Sequence, residues 1–254
     1  MNNIYEKYLN EHLAPIPGIY SNFDCRFLYS IVRESNPKKI IDFAPREGRT
    51  TSCIINAILK NLEYDKTLVE YYVFEKDIIF LKEVKKYLLN FVIENNINEY
   101  VKFYFNDNII DAPILDKISN IDFLFVDANH DYILAKWYVD ILFKKVKRGG
   151  VIHMHDIYFN KNNNGWDDTT FINFHSGHSP HPDYSDLNIM KNLYPTIFSK
   201  YYENEDVVTK FEPDIIKDYY IENKDNLEFY NTIDISRKYG MYEDFNCSIY
   251  FKIK

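Results

Sequence analysis

Two segments concentrate the side chains that can do chemistry. "FLFVDANHDY" closes an apolar run with Asp127, and His130 and Tyr132 follow just beyond; "GGVIHMHDIY" closes another with His155 and Asp156. If both runs are neighbouring parallel strands, their tips lie ~4.8 Å apart, so Asp127, His155 and Asp156 converge on one small volume. Two carboxylates and an imidazole are reasonable ligands for Mg2+ or Mn2+. Carboxylates that close repel each other unless a cation or a proton intervenes. His130, with an ordinary pKa of ~6.5, suits a general base near neutral pH. The plainer alternative is a set of loop polar groups that cap a core with hydrogen bonds. His153 shares the strand face of His155 and reads as its buried partner.

Three upstream segments end in the same manner. "KKIIDFAPREGRTTSCIINAI" reads as strand, tight turn and helix, with Asp42 near the strand tip and Gly48 where the helix begins. Nucleotide-binding turns of this layout usually carry two or three glycines; here only Gly48 remains, and the other two glycine positions hold Ala44 and Arg46. Thr50 lies in the first helical turn, where free N–H groups attract carboxylates and other anions. The bulk of Arg46 argues against a diphosphate, which needs close backbone approach. A smaller ligand bearing a carboxylate remains open, as does an ordinary strand-to-helix connection. "VFEKD" sets Glu75 where an acid can accept both hydroxyls of a ribose, and "FNDN" sets Asp107 where it can accept from an adenine amino group. Each of these also reads as a solvated loop carboxylate, and it is their recurrence at successive strand ends that gives them weight.

The elements that must position these residues follow from periodicity. From Ile40 to Tyr158 apolar runs alternate with amphipathic helices, and in "IIFLKEVKKYLLNFVIENN" Phe80, Val84, Tyr87 and Leu88 form one helical stripe. Continuous apolar strands separated by helices imply a parallel sheet covered on both faces. The expectation is an α/β fold: a Rossmann-like, doubly wound, mostly parallel sheet with a C-terminal antiparallel hairpin and a lid insertion after strand five. One domain, 1–254, is expected. Within it, 1–37 form N-terminal helices, 38–158 the cofactor-binding core, 159–226 the lid or acceptor insertion, and 227–254 the C-terminal strands. Gly149 and Gly150 are expected to cap the helix before strand five. In such folds ligands sit at the carboxyl ends of the strands.

Composition excludes some classes. With a net charge of −8 there is no basic field to hold nucleic acid or an anionic membrane. No run approaches the ~18 apolar residues of a membrane helix. Cys25, Cys53 and Cys247 are dispersed and odd in number, which suits a reducing compartment, so a cytoplasmic protein is expected. Aromatic residues reach 17%, and part of that surplus suits a pocket for sugars or nucleosides. A homo-oligomer is left open.

The ordered blocks "IIDFAPREGRTT", "VFEKD", "FYFNDN", "FLFVDANHDY" and "RGGVIHMHDIY" resemble class I S-adenosylmethionine-dependent methyltransferases. The last two look most like the segments of small-molecule O-methyltransferases, including the macrocin O-methyltransferase-like enzymes that methylate sugar hydroxyls. The resemblance implies that Asp42 through Gly48, with Ala44 and Thr50 beside them, hold the methionine moiety of S-adenosylmethionine. It implies Glu75 for the ribose, Asp107 for the adenine and Asp127 at the cofactor and catalytic centre. It also implies a divalent metal on Asp127 and Asp156, joined by His155 where some relatives carry an acid, and His130 as the base that deprotonates the acceptor.

The implied function is O-methylation of a sugar hydroxyl, free or nucleotide-activated, in surface-glycan or natural-product synthesis. Two alternatives keep the fold: methylation of a phenol or carboxylate, and a catalytically inactive Rossmann-like binding protein. "FHSGHSPHPDY" spaces His175, His178 and His181 regularly. Pro180 and Pro182 oppose a helix and no cysteine helps, so substrate contact by these histidines, Trp166 and Tyr184 is preferred over a zinc site, with a disordered polar loop an equal alternative.

Overall fold

The computed structural model describes residues 7–8, 11–13, 15–18, 20–107, 113–128, 132–155, 157, 212–231 and 248–254. The elements are α1 (Asn22–Ser35), β1 (Lys39–Phe43), α2 (Arg49–Leu62), β2 (Val69–Phe74), α3 (Ile78–Glu94), β3 (Val101–Asn106), α4 (Pro113–Lys117), β4 (Ile121–Val126), α5 (Tyr132–Trp137), β5 (Val146–His155), α6 (Glu212–Asn223), β6 (Leu227–Asn231) and β7 (Ser248–Ile253).

The strands form one seven-stranded sheet in the order β3-β2-β1-β4-β5-β7-β6. β1 to β5 run parallel, and β7 joins β5 and β6 antiparallel. This is the doubly wound, mostly parallel sheet with a C-terminal antiparallel pair. The strand order reverses between β1 and β4, and a crevice opens at the strand ends of such a switch point.

The apolar runs are buried on both sides because helices cover both faces. Ile41, Phe43, Phe74, Leu124 and Ile152 face a core shared with α4, α5 and α6. Ile40, Tyr71, Val73, Phe123 and Phe125 face a core shared with α1, α2 and α3. Alternation along each strand divides the side chains between the two layers. Asp122, near the start of β4, accepts from the backbone N–H of Lys38 and Lys39 at 2.9 and 2.7 Å, which secures the entry to β1. Helix α6 lies in the sequence range expected as a lid, and its Ile215 and Ile216 are buried against the sheet layer. Residues 159–211 of that range lie outside the described residues.

The helix before β5 ends differently from the glycine cap expected of it. α5 widens into a π turn over Tyr138–Leu142 and tightens into a 3-10 turn over Phe143–Lys145, and the strand begins at Val146. Gly149 and Gly150 therefore lie inside β5, where the register runs Ile121↔Val146 and then Phe123↔Val151. Gly149 has φ 80°, and a Cβ on Gly150 would stand 2.7 Å from Val146 Cγ1 and 2.8 Å from the Ile121 carbonyl. These glycines serve a bulge that lets β5 return to the sheet, and not a helix cap.

Candidate active site

The register sets the strand tips level. Phe43 pairs with Phe74 and Val126, Phe74 with Asn106, and Val126 with Met154. The next residues along the sheet edge are thus Asp107, Glu75, Ala44, Asp127 and His155, in that spatial order. Backbone hydrogen bonds continue to this level: Ala44 N–H to Phe74 O at 2.8 Å, Glu75 N–H to Asn106 O at 3.0 Å, and Asp127 N–H to Phe43 O at 3.1 Å. Five residues expected at the site therefore follow one another in one row, four of them within the hydrogen-bonded ladder.

The loop after β1 answers the question of its missing glycines. Ala44, Arg46 and Gly48 have φ 62°, 51° and 85°. The backbone takes the left-handed conformation at all three positions, although only one is a glycine. A non-glycine residue there is disfavoured by roughly 1–2 kcal/mol. Gly48 is the N-cap of α2, and its N–H donates to the Pro45 carbonyl at 2.9 Å. Thr50 is buried in the first turn of α2, which carries no acidic residue.

Glu75 is the acid best placed for a diol. Its Oε2 accepts the Arg46 N–H at 2.9 Å and its Oε1 accepts the Asp77 N–H at 2.8 Å. Both oxygens are oriented by backbone donors, and each keeps acceptor capacity. At 7% exposure the carboxyl group is nearly enclosed, and burial raises its pKa. Asp107, one strand farther out, is exposed.

Asp42 lies deeper than the cofactor contact expected of it. The carboxylate is fully buried, and its Oδ2 accepts the Thr51 hydroxyl at 2.6 Å and the Tyr71 hydroxyl at 2.7 Å, while Oδ1 has no protein partner. It ties the first turn of α2 to β1 and β2 from beneath the loop. Burial pushes its pKa up from 3.8 to about 6, against the pull of the two hydroxyls.

Asp127 and His155 meet, as the two strand tips predict. His155 Nδ1 stands 3.2 Å from Asp127 Oδ1, with the histidine side chain 2% exposed and the aspartate 27% exposed. The ring of Tyr20 lies over the imidazole, with centroids 4.3 Å apart. His153, one pleat back, is buried against Phe125 at 5.2 Å, and burial pushes its pKa down to about 3, so it is a neutral core residue. His130 and Asp156 lie outside the described residues, as do Trp166, His175, His178, His181 and Tyr184.

The expected metal ligands are only partly described, since Asp156 lies outside the described residues. Among the described residues no group of three His, Cys, Asp or Glu side chains could hold a metal ion. Of the two expected ligands described, His155 is enclosed beside Asp127, and Asp127 is the more exposed of the pair.

Tyr20, Arg49, Thr51 and Tyr71 were not picked out as functional in the sequence. They come from a segment before α1, the start of α2 and the middle of β2. No local pattern marks them, because what matters is their partner across the fold.

A family model described as a methyltransferase domain matches residues 25–157. No curated protein sequence matches the chain. In shape it is similar to the O-methyltransferase TomG from Streptomyces achromogenes, solved in complex with SAM, at 10% identity and TM-score 0.50, covering 100% of this chain and 87% of that one. It is likewise similar to an O-methyltransferase from Bacillus cereus, solved in complex with SAH, at 12% identity and TM-score 0.50, covering 99% and 89%. At those identities the likeness shows the fold. The family model spans more than half of the chain, and the protein belongs to the methyltransferase-domain family.

Proposed function

We propose that this protein moves the methyl group of S-adenosylmethionine to an oxygen of a small acceptor, a sugar hydroxyl in free or nucleotide-activated form. The observation that carries the reading is Glu75. It is an almost enclosed carboxylate with both oxygens aligned by backbone donors, one of them from a loop that keeps the left-handed turns of a glycine loop. That arrangement suits the two hydroxyls of a ribose, with Asp107 next in the row for the adenine and the start of α2 for the carboxylate of the methionine tail.

The sulfonium supplies an activated methyl group. The residues' task is to hold donor and acceptor in line and keep water out. Asp127 is level with Ala44 across the switch point, a position that suits a residue between the cofactor loop and the acceptor. The acceptor oxygen attacks the methyl carbon, the carbon–sulfur bond breaks with its electron pair passing to sulfur, and His130 takes the hydroxyl proton. The sugar acceptor is supported by the resemblance and the aromatic richness, and a cytoplasmic setting by the composition. Among the described residues no helix is long and apolar enough to cross a membrane. A metal on Asp127 and Asp156 would polarise the acceptor hydroxyl; Asp156 lies outside the described residues, and no step is routed through the ion. EDTA tests the ion: loss of transfer that Mg2+ restores supports it, and unchanged transfer removes it.

Calorimetric titration with S-adenosylhomocysteine tests the core of this reading, with micromolar binding expected; no binding overturns it. Methyl transfer to a panel of sugars, nucleotide sugars, phenols and carboxylates then names the acceptor class, and His130→Ala should abolish transfer while leaving that binding intact.

A further inference from the structure

We propose that the segment before α1 is part of the active site, with Tyr20 and His155 acting as positioning residues for Asp127. Asp127 is the residue they act through, and its place beside the cofactor rests on the function proposed above.

The segment is strapped to the start of α2. Arg49, first residue of that helix, donates Nε–H to the Tyr20 carbonyl at 2.5 Å, Nη1–H to the Ile16 carbonyl at 2.8 Å, and Nη2–H to Asn22 Oδ1 at 2.7 Å. In return the Ile16 N–H donates to Ser52 Oγ at 3.0 Å. Gly18 lets the strap pass the arginine, since a Cβ there would stand 3.0 Å from Arg49 Cδ. A cation at a helix N-terminus opposes the dipole. Arg49 is held there by three acceptors, which makes sense if its task is to anchor this segment.

The strap delivers Tyr20 to the far side of the row. The side chain is 3% exposed, its hydroxyl lies 3.2 Å from Ser248 Oγ on β7, and its ring covers the His155 imidazole. The imidazole, closed off on that side, presents Nδ1 to Asp127 Oδ1. Asp127 is the partly open member of the pair, so the buried imidazole sets the direction in which its carboxylate faces the crevice. Second-layer partners of this kind hold a reacting or binding group in one orientation. His155, expected as a metal ligand, is thereby reassigned as the residue that orients Asp127.

The test uses the full chain labelled with 15N-histidine, with His155 assigned by its loss in His155→Gln. In wild type its imidazole should show one fixed tautomer, with the proton on Nδ1 toward Asp127. Asp127→Asn and Tyr20→Leu should both disturb that signal, whereas Tyr20→Phe, which keeps the ring, should not. Added MgCl2 should leave it in place. In titrations with S-adenosylhomocysteine, Tyr20→Leu and His155→Gln should each bind about five- to tenfold more weakly, and Tyr20→Phe within about twofold of wild type. A His155 signal indifferent to Tyr20→Leu and Asp127→Asn, or one that shifts with Mg2+, overturns the assignment. So does unchanged binding by both variants alongside a wild type that binds. A wild type that fails to bind sinks the methyltransferase reading instead, while the histidine spectra still decide the positioning role.

Discussion

Arg46 offers the sharpest test of the loop, through the pair Arg46→Ala and Arg46→Gly. Comparing these two variants with each other cancels the loss of the guanidinium and of its exposed 3.4 Å contact with Glu47. What remains is the backbone preference at φ 51°. An alanine held there is disfavoured by roughly 1–2 kcal/mol. Glycine escapes that penalty but adds about 0.4–1 kcal/mol of unfolded-state entropy. Arg46→Gly should therefore be about 0.5–1 kcal/mol more stable than Arg46→Ala, a difference of about 1–3 °C in melting temperature for a chain of this size. Lys86, exposed within α3, is the control. In a helix interior glycine is about 1 kcal/mol worse than alanine, so the sign of the difference should invert between the two sites. Urea denaturation of the four variants reads both differences. A glycine at 46 that is less stable than alanine by as much as at 86 would show that the loop does not hold the left-handed turn, and the parallel with a glycine loop would fall with it.

Other expectations follow from single residues. Glu75→Gln should weaken S-adenosylhomocysteine binding about tenfold or more, because a charged acceptor of two hydroxyls is lost; calorimetry giving wild-type affinity would remove Glu75 from the ribose site. Asp42 titrates near 6 when folded, against 3.8 in its ordinary state. Between those values the folded chain holds the extra proton, so wild type should lose stability relative to Asp42→Asn as pH rises from about 4 to about 7, by on the order of 2–3 kcal/mol. A gap that stays constant in denaturation at several pH values would contradict this. Gly150→Ala should cost about 2 kcal/mol or more, since its Cβ would meet backbone and Val146 below van der Waals distance; a melting temperature unchanged from wild type would refute the bulge packing.

Much of the fold was legible along the chain. A residue's position in a parallel sheet follows from a local apolar run and the helix that comes after it, so β1 to β5 and the level of Glu75, Asp107 and Asp127 could be read without coordinates. The turn at Gly149 and Gly150 could not, because whether glycines end a helix or relieve a strand depends on what stands opposite, here the Ile121 carbonyl. In the same way Ala44 and Arg46 look like lost glycines on paper. Their backbone is held left-handed by tertiary contacts, among them the Arg46 N–H on Glu75, a residue far along the chain.

By itself the sequence determined the alternation of strands and helices and the acids at their tips, since periodicity and residue type are local properties. Tertiary structure alone decided the orientation and burial of those side chains. It sank Asp42 beneath the loop between Thr51 and Tyr71, and it turned His155 toward Asp127 under Tyr20. Burial and partnership are set by segments distant in sequence, and they fix what a carboxylate or an imidazole can do.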